Sequence, residues 1–328
     1  MLRFALFDAR EYDREGFERS CQKYGVYIKF FETKLNIDTV ALSKGYDGVI
    51  VFVNDCVNKV VIDKLVEYKI KILALRCAGF NNVDLPAAKD KLTVVRVPAY
   101  SPQAIAEHTM ALLLSSVRKI HKAYIRTRNF NFSINEFTGF ELKDKTIGII
   151  GTGRIGKAFI DICKGFGMHI CCYDPFPDSC CDYNYVSLNE IYEKCDIISL
   201  HCPLTKENRH LINAETIEKM KKGVILINTS RGQLIDTQAL IQGIRREKIG
   251  GACLDVYEEE SDIFFEDHSS VIIRDDTLLR LISMPNVIVT SHQAFLTREA
   301  LDSIAETTVS NLVNFFRGNI VNEVKFTG

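Results

Sequence analysis

Thr146-Ile-Gly-Ile-Ile-Gly151-Thr-Gly153-Arg154-Ile155-Gly156 is an apolar run that enters a glycine-rich turn and leaves it as a helix. Gly151 permits the tight turn, Gly153 lets backbone approach a pyrophosphate closely, and Gly156 lets the helix lie close on the strand. Backbone N–H groups at the helix start, with the positive end of the helix dipole, then face the phosphates. Glycine-rich turns without a ligand are common, so the surrounding sequence has to carry the reading. The segment from Arg154 to Gly165 places Ile155, Ala158, Phe159 and Ile162 on one stripe, as expected of a helix lying on a sheet. A second strand over 168–173 ends in Asp174, 18 residues beyond Gly156. An acid at that spacing suits a ribose 2′-hydroxyl and repels a 2′-phosphate, which favours NAD over NADP. The alternative reading of Asp174 is a turn former before Pro175.

The chain has 328 residues, enough for two domains with separate cores. With 41 basic and 42 acidic side chains it has no overall field to draw in nucleic acid or an anionic membrane. The apolar run at the start is too short for a signal peptide and meets Asp8, Arg10 and Glu11 at once, so a cytoplasmic location is expected. The most apolar helical stretch, 104–117, contains Glu107 and His108 and falls short of the roughly 20 residues that span a bilayer. Eleven cysteines, an odd number without a secretory signal, read as reduced thiols. Cys171-Cys172 and Cys180-Cys181 lack C-x-x-C spacing, and neighbours in a strand point to opposite faces, so no metal site is expected.

Strands alternate with helices along the whole chain, which implies mostly parallel sheets. In the first hundred residues they fall at 3–8, 27–31, 48–53, 72–75 and 94–97. Ser101-Pro102 starts a helix predicted to run to about Thr127, ending in a basic stretch that complements the helix dipole on a solvated face. A second series has strands at 146–150, 168–173, 197–201, 224–228, 251–256 and 287–290. The amphipathic pattern over 298–317 has no neighbour of its own to bury against and is expected to pack back on the first domain.

Ligands of open parallel sheets collect beyond the carboxyl ends of the strands, and three reactive groups fall there. The strand 224–228 leads to Thr229, Ser230 and Arg231, the strand 251–256 to Glu258, Glu259 and Glu260, and the strand 287–290 to His292. Taken singly, Arg231 also reads as a surface ion pair, the glutamates as a solvated acidic run, and a lone His after a strand is more often structural than catalytic. Together they supply a guanidinium fork for a carboxylate, an imidazole for proton transfer and a carboxylate to support its charge. That set suits reduction of a 2-oxo acid, with hydride passing from a nicotinamide to the carbonyl carbon.

The chain resembles the NAD-dependent D-2-hydroxyacid dehydrogenases, and among them the D-lactate dehydrogenases. The likeness spans nearly the whole chain: Arg76-Cys-Ala-Gly-Phe-Asn-Asn-Val-Asp84, Val97-Pro-Ala-Tyr100-Ser-Pro, the glycine motif, His201-Cys-Pro203-Leu-Thr, Asn228-Thr-Ser-Arg231-Gly232, Asp255-Val-Tyr-Glu-Glu-Glu260 and His292-Gln-Ala-Phe295. The resemblance implies that Arg231 binds the substrate carboxylate, that Glu260 pairs with His292, and that His292 is the acid/base. It implies cofactor contacts at Gly151, Gly153, Arg154, Ile155, Gly156 and Asp174, with Cys202, Pro203, Asn208, Thr229, Ser230, Arg231 and Asp255 lining the rest. It places backbone of Cys77, Ala78 and Gly79 at the substrate carboxylate, with Phe52, Tyr100 and Phe295 as walls of the side-chain pocket; as residue types, these aromatics read equally as core. Cys202 departs from an aliphatic residue common in relatives.

The implied fold is α/β with two doubly wound parallel-sheet domains, a flavodoxin-like substrate domain (1–100 with 297–328) and a Rossmann NAD domain (101–296), and a cleft between them. The implied activity is reversible reduction of pyruvate to D-lactate in a homo-oligomer, dimer or tetramer. Two alternatives stand beside it: an enzyme for a larger 2-oxo acid, and an NAD(H)-sensing corepressor-like binding protein. Only 36 residues follow His292, too few for a further regulatory domain, and retention of all three reacting groups argues for turnover.

Overall fold

The computed structural model describes residues 1–260 and 263–325, and the chain divides into two compact units. The first takes Met1–Ser101 and the stretch from Leu296 onward. Its strands β1 (Arg3–Leu6), β2 (Tyr27–Phe30), β3 (Gly48–Val51), β4 (Ile72–Leu75) and β5 (Thr93–Arg96) pair in parallel in the order β2-β1-β3-β4-β5. This is the flavodoxin-like doubly wound order. β3 and β4 are buried along their whole length, which is why their sequences are unbroken apolar runs rather than alternating ones.

Helix Arg298–Phe316 lies against helix Glu11–Tyr24 within this unit. The approach is close, since a Cβ on Gly16 would stand 3.2 Å from Cβ of Ala305. Phe4, Leu6, Phe17, Ile72, Val309 and Leu312 form the shared core. Each such side chain contributes about 1.5–3 kcal/mol by leaving water, so the C-terminal helix is held by burial of its apolar stripe.

The second unit covers Pro102–Phe295. Strands β6 (Thr146–Ile150), β7 (His169–Tyr173), β8 (Ile197–Leu200), β9 (Val224–Asn228), β10 (Ile249–Leu254) and β11 (Val287–Val289) form one parallel sheet in the order β11-β10-β9-β8-β6-β7. Beyond β7, Tyr185 makes a single parallel bridge to Cys172. Counted as a strand reduced to one bridge, it completes the 3-2-1-4-5-6 order of a dinucleotide-binding sheet, with β11 added as a seventh position beyond β10. Among the described residues no helix is long and apolar enough to cross a membrane.

Several local expectations are corrected. β10 begins at Ile249 rather than 251 and ends at Leu254, so Asp255 and Val256 have already left the sheet. The helix predicted to run to Thr127 is two helices, Pro102–Arg118 and Ile120–Arg128, separated by Lys119 at φ 52°. Burial explains the break. The first helix buries residues as far as Val117, whereas the second buries none. The returning chain then crosses so closely that a Cβ on Gly139 would stand 2.3 Å from the Val117 carbonyl oxygen. In helix Arg154–Gly165 the buried face is Gly156, Phe159, Ile160 and Cys163, while Ile155, Ala158 and Ile162 are half-buried. Gly156 sits on the Gly151 carbonyl, and that contact sets the rotation of the helix.

Candidate active site

β6 has β7 on one side and β8 on the other, so the chain leaves it at the point where the strand order reverses. Gly151 takes up φ 99°, donates its N–H to the Tyr173 carbonyl at 2.8 Å, and would set a Cβ 2.6 Å from the His201 carbonyl carbon. A Cβ on Gly156 would meet the Gly151 oxygen at 2.0 Å. Both glycines are demanded by the protein itself. Gly153 differs: its φ is −66° and a Cβ there would meet nothing within 4 Å. Open space at the N-terminus of a helix is what a pyrophosphate needs, and the three glycines therefore fit a dinucleotide. Arg154 beside it is exposed and Ile155 half-buried.

Asp174, at the end of β7, is fixed by the glycine turn. Its Oδ2 accepts from the Thr152 N–H at 2.8 Å and the Thr152 hydroxyl at 3.1 Å, and its Oδ1 from the Phe176 N–H at 2.9 Å. Thr152 escaped the sequence reading because the x of a G-x-G motif carries no signal. The loop after β8 is knitted by Asn208, which accepts from the Thr205 N–H at 2.7 Å and donates to the Pro203 carbonyl at 2.7 Å. Burial pushes the half-buried Cys202 thiol up to about 11, so it packs as a small hydrophobe. After β9, Thr229 meets the Thr109 hydroxyl at 3.0 Å, and Ser230 donates to the Leu200 carbonyl at 3.0 Å.

The three expected reacting residues lie on loops after β9, β10 and β11. Asn228 shapes the first, accepting from Ser230 N–H at 3.0 Å and donating to the Arg231 carbonyl at 2.8 Å. Gly232 then packs against the second loop, where any Cβ would come within 2.1 Å of the Tyr257 carbonyl. That contact, made between residues far apart in sequence, seats the half-buried Arg231 beside the loop that carries Glu260. Glu260 accepts from the Tyr257 N–H through Oε2 at 2.9 Å and meets Nδ1 of His292 through Oε1 at 2.8 Å. His292 is about four-fifths buried (21% exposed) with the left-handed φ of 52°, and the Phe265 ring lies 5.9 Å from its imidazole. With Nδ1 taken by Glu260, Nε2 is the nitrogen presented to a reacting oxygen.

Asp255 is enclosed, at 0% exposure. Its carboxylate accepts from the N–H groups of Gln293 and Ala294 at 2.9 and 2.8 Å and from the Thr290 hydroxyl at 2.5 Å, with His108 3.4 Å away. Its carbonyl accepts from the His292 N–H at 2.7 Å. Burial alone would raise the Asp255 carboxyl, but His108, Thr290 and the two N–H groups outweigh it and hold it below the usual carboxylate value. Asp255 is thus the anchor of the His292 loop. Neither His108 nor Thr290 carried a sequence signal for this.

The residues expected at a substrate stand at strand ends of the first unit, apart from Phe295, which is buried in the second. Phe52 follows β3 and is buried, Cys77 to Gly79 follow β4, and the half-buried Tyr100 comes after β5. Arg96 donates to the Ala78 carbonyl at 2.8 Å, and the Cys77 thiol meets the Gly79 carbonyl at 3.2 Å.

Residues 110–294 match the model of the D-isomer specific 2-hydroxyacid dehydrogenase, NAD binding domain. A 2-hydroxyacid dehydrogenase homolog of Haemophilus influenzae is 49% identical over 327 residues, covering 98% of this chain and 99% of that protein. The D-lactate dehydrogenase of Escherichia coli is 47% identical over 321 residues, covering 97% of this chain and 98% of that one. Among solved structures, the pyruvate reductase of Chlamydomonas reinhardtii superimposes with a TM-score of 0.92 at 41% identity, covering 97% of each chain.

Proposed function

Since the chain belongs to the D-isomer specific 2-hydroxyacid dehydrogenases, whose cofactor is NAD, we propose that it interconverts pyruvate and D-lactate. The observation that carries the reading is the His292–Glu260 pair at 2.8 Å, on a loop packed against the turn of Arg231. The extent of likeness to the D-lactate dehydrogenase of Escherichia coli, 47% over 97% of the chain, favours pyruvate over longer acids.

In this reading the bound nicotinamide supplies the hydride that reaches the carbonyl carbon. Arg231 holds the substrate carboxylate in two parallel charged hydrogen bonds and polarises the carbonyl. His292 gives the proton on Nε2 to the carbonyl oxygen, and Glu260 stabilises the imidazolium before that transfer and fixes the ring. Oxidation of the hydroxy acid uses neutral His292 as the base. Asp174 would hold the ribose diol, and Gly151 to Gly156 the pyrophosphate, with Cys202, Pro203, Asn208, Thr229, Ser230, Arg231 and Asp255 along the rest of the cofactor. Backbone at Cys77, Ala78 and Gly79 would meet the substrate carboxylate, and Phe52, Tyr100 and Phe295 would enclose its methyl group.

A cytoplasmic location belongs to the same proposal and is supported by eleven free thiols, which suit a reducing compartment. So does self-association. Helix Ile120–Arg128 buries none of its residues, and with the loop after it exposes Tyr124, Ile125, Phe130, Phe132 and Ile134, a run of large apolar side chains that a partner copy would cover.

The deciding experiment follows NADH oxidation by the purified protein with pyruvate and longer 2-oxo acids and determines the chirality of the product. Pyruvate should be the preferred acid and D-lactate the product. Preference for a longer acid would replace the substrate, and no turnover of any 2-oxo acid would sink the enzymatic reading.

A further inference from the structure

Phe52 leaves the end of β3 into a setting of buried polar groups. Its N–H donates to Asp55 Oδ2 at 2.6 Å, its carbonyl accepts from Asn82 Nδ2 at 2.8 Å, and the guanidinium carbon of Arg76 lies 4.0 Å from its ring centre. Arg76 is only 1% exposed. Its Nη1 donates to Asp13 Oδ1 at 3.0 Å, and its Nη2 donates to the Asp8 carbonyl at 2.6 Å. The other oxygen of Asp13 accepts from the Arg10 N–H at 2.9 Å, closing the first turn of helix Glu11–Tyr24. Arg10 in turn donates to Asp8 Oδ1 at 2.7 Å. Two arginines and two aspartates thus compensate one another beneath the ring.

Stability does not account for an arginine in this place. Taking a guanidinium and its carboxylate partner out of water is costly even when they are paired, and a well-packed apolar pair in place of both Arg76 and Asp13 would be no less stable. What an apolar chain lacks is a rigid plane that stacks on an aromatic face and is held in orientation by hydrogen bonds at its rim. Arg76 also donates its N–H to the Val51 carbonyl at 3.0 Å and is followed by Cys77, so one residue ties the end of β3 to the turn after β4.

We propose that Arg76 is a specificity-positioning residue: oriented by Asp13, it holds the Phe52 ring as a fixed wall that limits the size of the substrate side chain. The inference rests on the reading of Phe52 as a wall of the side-chain pocket and adds what keeps that wall from yielding. Lysine at 76 would keep the charge beside Asp13 and lose the plane.

The test compares kcat/KM for pyruvate and for 2-oxo-4-methylpentanoate in the wild type, Arg76→Lys, Asp13→Asn, Phe52→Leu and the double variant Arg76→Lys with Phe52→Leu. Arg76→Lys should move the ratio toward the longer acid by about tenfold, the lower end of what a pocket discriminates for a single methylene, with KM for NADH unchanged. Phe52→Leu should move it at least as far, and the double variant no further than Phe52→Leu, because both act on one wall. Should Arg76→Lys not fold, Asp13→Asn carries the same expectation by releasing the guanidinium. An unchanged ratio in either folded variant, or a parallel loss for both acids, overturns the role of Arg76 while a shift in Phe52→Leu preserves the reading of the pocket. An unchanged ratio in Phe52→Leu overturns both.

Discussion

Nδ1 of His292 and Oε1 of Glu260 stand 2.8 Å apart, and the second oxygen of Glu260 is held by the Tyr257 N–H, so the carboxylate cannot swing away from the ring. Glu260→Gln keeps an oxygen for Tyr257 but removes the charge that compensates the imidazolium. We expect kcat for pyruvate reduction to fall on the order of 10²-fold, with NADH affinity by fluorescence titration unchanged. An unaltered kcat would leave Glu260 a merely structural partner.

Asp255 acts one step behind that pair, through the backbone of the loop that bears His292. Its folded-state carboxyl lies below its ordinary value, so its contribution is present above that value and is lost as pH falls through the depressed one. Asp255→Asn should therefore lower stability at neutral pH and flatten its decline below about pH 5, read from urea midpoints across that range. Turnover should fall as well, because three donors around the carboxylate then face an amide. Parallel acid limbs for wild type and variant would show that Asp255 is not the group responsible.

The elements legible in the sequence were those whose reasons are local. The glycine turn announces itself because Gly151 and Gly156 are forced by contacts within six residues or by φ, and β3 and β4 because two-sided burial leaves unbroken apolar runs. What stayed hidden depends on partners distant in sequence. Nothing in the sequence around Arg76 shows that Asp13 and Asp8, 63 and 68 positions away, are folded beneath it. Gly232 reads as an ordinary turn glycine until the backbone of Tyr257 is laid against it. The helix break at Lys119 has no glycine or proline to mark it, and follows only from where burial stops.

The two glycines at 153 and 156 separate a ligand's demand from the protein's own. Gly153→Ala places a methyl in open space at an ordinary φ, so stability should change by no more than about 0.5 kcal/mol. KM for NADH should nonetheless rise about tenfold or more, equivalent to roughly 1.4 kcal/mol of lost binding. Gly156→Ala would drive its methyl into the Gly151 oxygen and should cost about 1–3 kcal/mol in unfolding experiments without any ligand. Equal effects of the two substitutions on both readouts would remove the pyrophosphate role of Gly153.

His201 supplies a second pH signature, opposite in chemical type to that of Asp255. The side chain is buried beside the glycine turn with Nε2 2.9 Å from the Ser199 hydroxyl, and burial pushes its imidazole down to about 3. A base with a depressed folded value stays neutral in the native state while the unfolded chain takes up a proton below its ordinary value of 6.5. Stability should consequently fall as pH drops from about 6.5 toward 3, by up to about 1.4 kcal/mol per pH unit from this one group. His201→Gln retains a hydrogen-bonding group for Ser199 and does not titrate. The difference in unfolding free energy between wild type and variant should therefore shrink steadily from pH 7 to pH 5, and a constant difference over that interval would exclude His201 as the source of acid sensitivity.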